Sequence, residues 1–343
     1  MRASSPIGMR GADVLVRDHF CIEAGETVVI TADATTDPSV VDAIWGASIA
    51  VGARPIVLKL PKLPYQGRLA DPYVPEALGK AVETCDVWLD LTFPYLAGSH
   101  VHDLAMKANR PRYLLLGDVD GEGLDRLYGV CSLDRLFEAQ TSLDQVFADN
   151  EGAECRITNP AGSDVRFRLG RTVTRKTRYT RTPGTSTVMG SAIFYPEPDS
   201  VQGDLFVDAM FHEFYTLLPR PMHLVVDGPI RALKDGGGQA IMAERALRRA
   251  GGGEFGRIIH FTVGFHPAAR FSGASFIEDI RSPGANAVGL GVPWWEPGGG
   301  ENHPDAVMTA QSVWVGGQQI VRDGTVIAPS EPAEKIAAIT RVG

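Results

Sequence analysis

Cysteine is scarce in this chain, and none of Cys21, Cys85, Cys131 and Cys155 forms a Cys-x-x-Cys pair. That spacing argues against a zinc knuckle and a disulfide framework, and a reduced, cytoplasmic compartment is expected. Long uncharged apolar runs are also missing, and Met1 to Arg10 has no apolar stretch of the kind a secretory leader carries, so no membrane association is expected. Basic residues are in deficit, 33 Lys and Arg against 41 Asp and Glu. The resulting charge of -8 and pI near 5.5 argue against a nucleic-acid partner, whose affinity comes chiefly from Lys and Arg on phosphates. No Gly-x-Gly-x-x-Gly follows the first candidate strand and there is no P-loop, so neither a dinucleotide nor a nucleoside triphosphate is expected.

What is present is an ordinary globular composition, spread over 343 residues. That length exceeds what one core usually serves, so two domains are expected. Residues 1–148 read as an α/β domain. Thr27-Val28-Val29-Ile30-Thr31-Ala32 is β-branched and reads as a buried strand, Pro38 to Ala47 has helical spacing, and Pro55 to Leu60 is the next strand. The alternation continues through a helix near Pro75 to Thr84, a strand at Asp86 to Leu91, a helix after Gly98 and a strand at Arg112 to Gly117. It predicts a parallel sheet with right-handed crossovers. Residues 149–343 read as α+β. Period-two alternation on both sides of Pro160-Ala161-Gly162-Ser163 predicts a hairpin, further strands are expected at Asp204 to Phe211 and Met222 to Gly228, and Ala240 to Ala250 reads as a helix.

Two polar clusters stand out in the second half. One is Arg257 to Pro267, which contains His260 and His266; the other is Glu301-Asn302-His303-Pro304-Asp305. Residues two apart on an extended segment share a face, so His303 and Asp305 can point the same way. With His260 they would form a two-histidine, one-carboxylate set, which with open positions suits non-haem Fe(II). The bland reading is a surface turn with a His–Asp hydrogen bond. His266, beside Pro267, reads as a loop or capping residue, and His212 and His223 as satisfied or partly exposed strand histidines. The basic run Arg171, Arg175, Lys176, Arg178 and Arg181 reads as a solvated face or an anion site.

These segments resemble the superfamily that holds the aminopeptidase T type metallopeptidases and the 2,5-dihydroxypyridine 5,6-dioxygenases. The run His260 to Pro267 resembles a peptidase metal-binding run, with His260 in place of a glutamate. Gly190 to Pro196 resembles a second run, with Ser191 in place of the ligand glutamate. Gly284 to Gly291 resembles a third, with Ala287 in place of a histidine. A two-metal peptidase needs carboxylates enough to hold both ions, and these departures point away from it. His260, His303 and Asp305 match the dioxygenase branch, and the resemblance runs from about Gly25 to Gly324.

The resemblance implies an aminopeptidase T-like architecture, in which an α/β support and lid domain precedes an α+β metal-binding domain. It implies a single Fe(II) on His260, His303 and Asp305 and extradiol-like cleavage of a hydroxylated N-heteroaromatic by O2. His100 is implied as the acid–base histidine, with His102 the alternative, and Arg281 as a substrate-holding cation. For Arg281 the alternative is a surface ion pair with Glu278 or Asp279. Trp294, Trp295, Phe194 and Tyr195 are expected either to wall the pocket or to lie in the core or an interface. The family's glutamate and histidine before the Gly190 hairpin have no counterpart in Thr174 to Thr187, which leaves the particular ring open. Association into homo-oligomers is expected, with no nucleic-acid or membrane partner. The rival enzyme reading is a mononuclear Zn or Mn amide hydrolase, and the non-enzymatic one a binding protein with a relic site.

Overall fold

The β-branched run after Gly25 forms β1 (Thr27–Ala32), buried along nearly its whole length. Ahead of it lies α1 (Met9–Val14), and after it Asp37 caps α2 (Pro38–Ala50) by accepting from Ser39 N–H. The alternation continues through β2 (Arg54–Lys59), α3 (Glu76–Thr84), β3 (Val87–Asp90), α4 (His100–Ala108) and β4 (Arg112–Leu115). These strands pair in parallel, as their spacing predicts. In this computed structural model the described residues are 7–174, 177, 179–211, 213–293 and 303–339.

After β4 come the short α5 (Gly121–Leu124) and then α6 (Leu133–Asp149), which Ser132 caps. The hairpin around Pro160 to Ser163 is β5 (Glu154–Thr158) with β6 (Asp164–Arg168). One strand then crosses the expected domain boundary. β7 (Gly184–Thr187) pairs in parallel with β4, so the parallel sheet runs β2-β1-β3-β4-β7 and takes its last strand from the second half.

The second sheet is antiparallel. Its strands include β8 (Ser191–Phe194), β9 (Gln202–Phe211), β10 (Tyr215–Asp227) and β11 (Ile230–Asp235). After α7 (Gln239–Ala250) come β12 (Arg257–Gly264), α8 (Phe276–Asp279), β13 (Asn286–Gly291) and β14 (Asp305–Met308). The chain ends in β15 (Ser312–Val315), β16 (Gln318–Arg322), β17 (Thr325–Val326) and α9 (Ser330–Ala337). The order β9-β14-β13-β12-β8 puts the two polar clusters of the sequence on strands separated only by β13. One continuous apolar cluster, from Ala12 to Ile339, takes residues from both halves. The four cysteines are free, and among the described residues no helix is long and apolar enough to cross a membrane.

Candidate metal centre

His260 and Asp305 face each other across a glycine. On β13 Gly289 pairs with Asp305 of β14 on one side and with His260 of β12 on the other. A register shift between Ile258 and His260 brings the histidine opposite Gly289, the re-aiming that a β-bulge performs. Residues directly opposed in antiparallel strands share a face, so both side chains rise over the glycine. His303, two residues ahead of Asp305, joins them. A Cβ on Gly289 would press into the His260 ring and lie 2.9 Å from His303 Nε2. The missing side chain is the space in which the donor atoms meet.

They meet closely. The Nε2 atoms of His260 and His303 are 3.1 Å apart, and Asp305 Oδ1 lies 3.4 Å from the first and 3.7 Å from the second. All three residues are buried. Two donors each about 2.1 Å from one ion at a right angle lie about 3 Å apart, which is the separation of the two nitrogens. Burial pushes the His303 imidazole down to about 4, against the opposing pull of Asp305. It is therefore neutral at physiological pH, as a metal ligand must be. The donor set thus fits one divalent ion, and no second cluster of this kind occurs among the described residues.

The first half of the chain also reaches the cluster. Asp90, at the end of β3, is fully enclosed and accepts from Thr31 Oγ1, Thr92 N and Oγ1, Leu96 N and Tyr113 OH. This network turns the following loop inward and presents Tyr95, whose ring is 5.2 Å from that of Phe211. Phe211 is itself paired with Asp305. Burial raises the Tyr95 phenol well above its usual value, and Asp305 raises it further. From the segment between β2 and α3, Gln66 Nε2 donates to His303 O at 2.5 Å. Tyr195 stands edge-on to His260 with ring centroids 6.3 Å apart. Nothing in the sequence marked Gln66 or Gly289 as neighbours of the cluster, because each arrives there by tertiary pairing.

A match to the family described as 2,5-dihydroxypyridine 5,6-dioxygenase (NicX) spans residues 18–328. The chain belongs to that dioxygenase family. No individual curated protein matches the sequence. Among solved structures, 2,5-dihydroxypyridine dioxygenase from Pseudomonas putida KT2440 is similar at a TM-score of 0.72 and 19% identity, covering 94% of this chain and 98% of that one. AmpT from Thermus thermophilus is similar at 0.61 and 14% identity, covering 93% and 98%. These likenesses confirm the aminopeptidase T-like fold.

The other two expected site residues lie on α4 and just after α8. His100 is the first residue of α4 and exposed, with its backbone N–H on Asp71 Oδ1. Ser99 caps the helix and so turns His100 outward, and no contact brings its imidazole to the cluster. The alternative, His102, is buried against Tyr113 and Trp88. Arg281 is buried, not on the surface: Nε and Nη2 donate to Val188 O, and Nη1 donates to Ile277 O. Of the two carboxylates weighed as its partners, Glu278 accepts from Arg126 and Asp279 from Tyr215.

The remaining expectations sort by packing. His266 is fully buried, with Nε2 on Leu127 O and Nδ1 accepting from Ala268 N, a structural role. His223 stacks on Phe206 and bonds Asp204. Phe194 belongs to the core, stacked on Phe147 at 4.1 Å. His212, Trp294, Trp295, Arg175, Lys176 and Arg178 lie outside the described residues.

Proposed function

We propose that the protein is a mononuclear non-haem Fe(II) dioxygenase that cleaves a hydroxylated N-heteroaromatic ring, of the 2,5-dihydroxypyridine class, in an extradiol-like manner. The observation that carries this reading is the convergence of His260 Nε2, His303 Nε2 and Asp305 Oδ1, with donor atoms within 4.8 Å of one another. Three protein ligands leave room on one ion for outside ligands. The chemistry the iron supplies when bound is activation of an electron-rich ring and dioxygen toward each other, so that both oxygen atoms enter the product.

The chain's own residues supply orientation, an apolar flank and a proton donor. Phe93 and Phe211, buried and stacked at 4.7 Å, place an apolar pair beside Asp305, the register partner of Phe211. The Tyr95 hydroxyl has no hydrogen-bond partner among the described residues and stays protonated at neutral pH, so it is a donor for an oxygen on the bound ring. We favour it over His100 for the proton-handling role. Arg281, whose charge bears on Tyr95, is assigned an electrostatic role in substrate binding, because its guanidinium already holds two backbone carbonyls.

Anaerobic loading with Fe(II), followed by dihydroxypyridines and aminophenols with oxygen uptake and ring absorbance recorded together, tests the reading. Stoichiometric uptake with loss of the ring band is expected. Turnover of an amide or lactam without oxygen consumption would instead establish the hydrolase.

A further inference from the structure

Of the three proposed ligands, two are fixed by strand ladders. Asp305 is paired on both sides, with Gly289 and Phe211, and His260 is paired with Gly289 in β12. His303 precedes β14, where Pro304 O accepts from Leu290 N–H, and its own backbone carbonyl accepts from the side chain of Gln66, 237 residues away in sequence. Gln66 is 2% exposed. Its neighbour Tyr65 lies under the guanidinium of Arg249, 5.4 Å from ring centroid to the cation, and Arg249 is ion-paired with Glu213. The segment is therefore anchored from two sides across the His303 end of the cluster.

Gln66 also bears a cost that packing does not explain. Its Oε1 is buried and has no hydrogen-bond partner among the described residues. A buried acceptor left unsatisfied is destabilising, and an apolar residue of the same length would avoid that penalty. What an apolar residue cannot do is donate to the His303 carbonyl. We infer that Gln66 is a positioning residue for the metal centre, contributed by the first half of the chain, which sets the placement of the His303 imidazole opposite that of His260. The inference rests on the metal reading of the cluster.

The test uses the full-length chain, stripped of metal and titrated with Co(II), with the visible absorption of the ion as a readout independent of turnover. Wild type, His303→Ala, Gln66→Met, Gln66→Glu and Gln66→Asn are compared, with thermal melts to establish folding. Gln66→Met, which keeps the volume and removes the donor, is expected to bind Co(II) about 10- to 100-fold more weakly, with an altered spectrum, as loss of an outer partner of a ligand does. Gln66→Glu, which sets a carboxylate against the carbonyl, is expected to be worse, and Gln66→Asn, which keeps the amide on a shorter stem, intermediate. A folded Gln66→Met with wild-type affinity and spectrum overturns the inference. If Gln66→Met does not fold, Gln66→Asn decides on the same criteria. Should wild type bind no Co(II), or His303→Ala bind it unchanged, the metal reading itself fails, an outcome distinct from failure at Gln66 alone.

Discussion

Gly289 matters at this site because it has no side chain. It stands between His260 and Asp305 in register, and Gly289→Ala would put a methyl group where the imidazoles converge. Such a variant should fold, yet hold its divalent ion at least about tenfold more weakly, as equilibrium dialysis against a metal buffer would measure. Wild-type metal affinity in that variant would mean that the donors do not meet over the glycine. The proton-handling role separates equally cleanly at single residues. Tyr95→Phe should lower kcat by about 10²-fold with little change in KM, as loss of one donor aimed at developing charge does, whereas His100→Ala should leave both nearly unchanged. The reverse pattern would return the role to His100. His303-x-Asp305 was legible in the sequence because a two-residue spacing predicts a shared face whatever the surroundings. Gly289 and Gln66 were not, since no local pattern says which strand will lie alongside β12 or which distant side chain will reach His303.

At the scale of elements, legibility follows the same division. β1 and β3 are buried, mainly apolar runs, and their parallel pairing follows from the helices between them. β7 is Gly184-Thr185-Ser186-Thr187, polar and alternately exposed, so it reads as loop; only its ladder with β4 makes it a strand. The short α8 has little propensity of its own, and it is held by Asp118 at the end of the β4 connection. That carboxylate accepts from Phe276 N, Ile277 N and Ser275 Oγ. Desolvation pushes its pKa up to about 6 from 3.8, the hydrogen bonds notwithstanding. The native state therefore binds this proton more tightly than the unfolded chain does. Its contribution to stability is complete below about pH 4 and is lost as pH rises through about 6. Asp118→Asn should remove that part of the pH dependence, so that the wild-type denaturant midpoint falls relative to the variant's as pH rises from about 4 to about 6, and the two run parallel above it. Parallel curves throughout would show that Asp118 does not titrate in this window.

Taken whole, the molecule is two sheets tied to each other across residue 148. β7 returns to the parallel sheet, Asp118 caps a helix of the second half, Gln66 reaches His303, and the apolar core is shared. A charged tie between the halves is Arg126 to Glu278, bidentate at 2.6 and 2.8 Å, with the carboxylate almost fully buried. Burial on this scale makes the pair a poor source of net stability but a costly one to break, because removing one partner leaves the other charge uncompensated. Arg126→Ala is accordingly expected to destabilise by about 3–5 kcal/mol, while the double replacement Arg126→Met with Glu278→Leu costs far less. Because the halves share one core, the loss should appear as a single transition, with far-UV circular dichroism and tryptophan fluorescence coincident and the midpoint lowered at constant slope. Two separated transitions would mean that the parallel sheet and the metal-bearing sheet fold independently. The first half would then be a detachable cover, and the contribution of Gln66 to the site would have to survive its undocking.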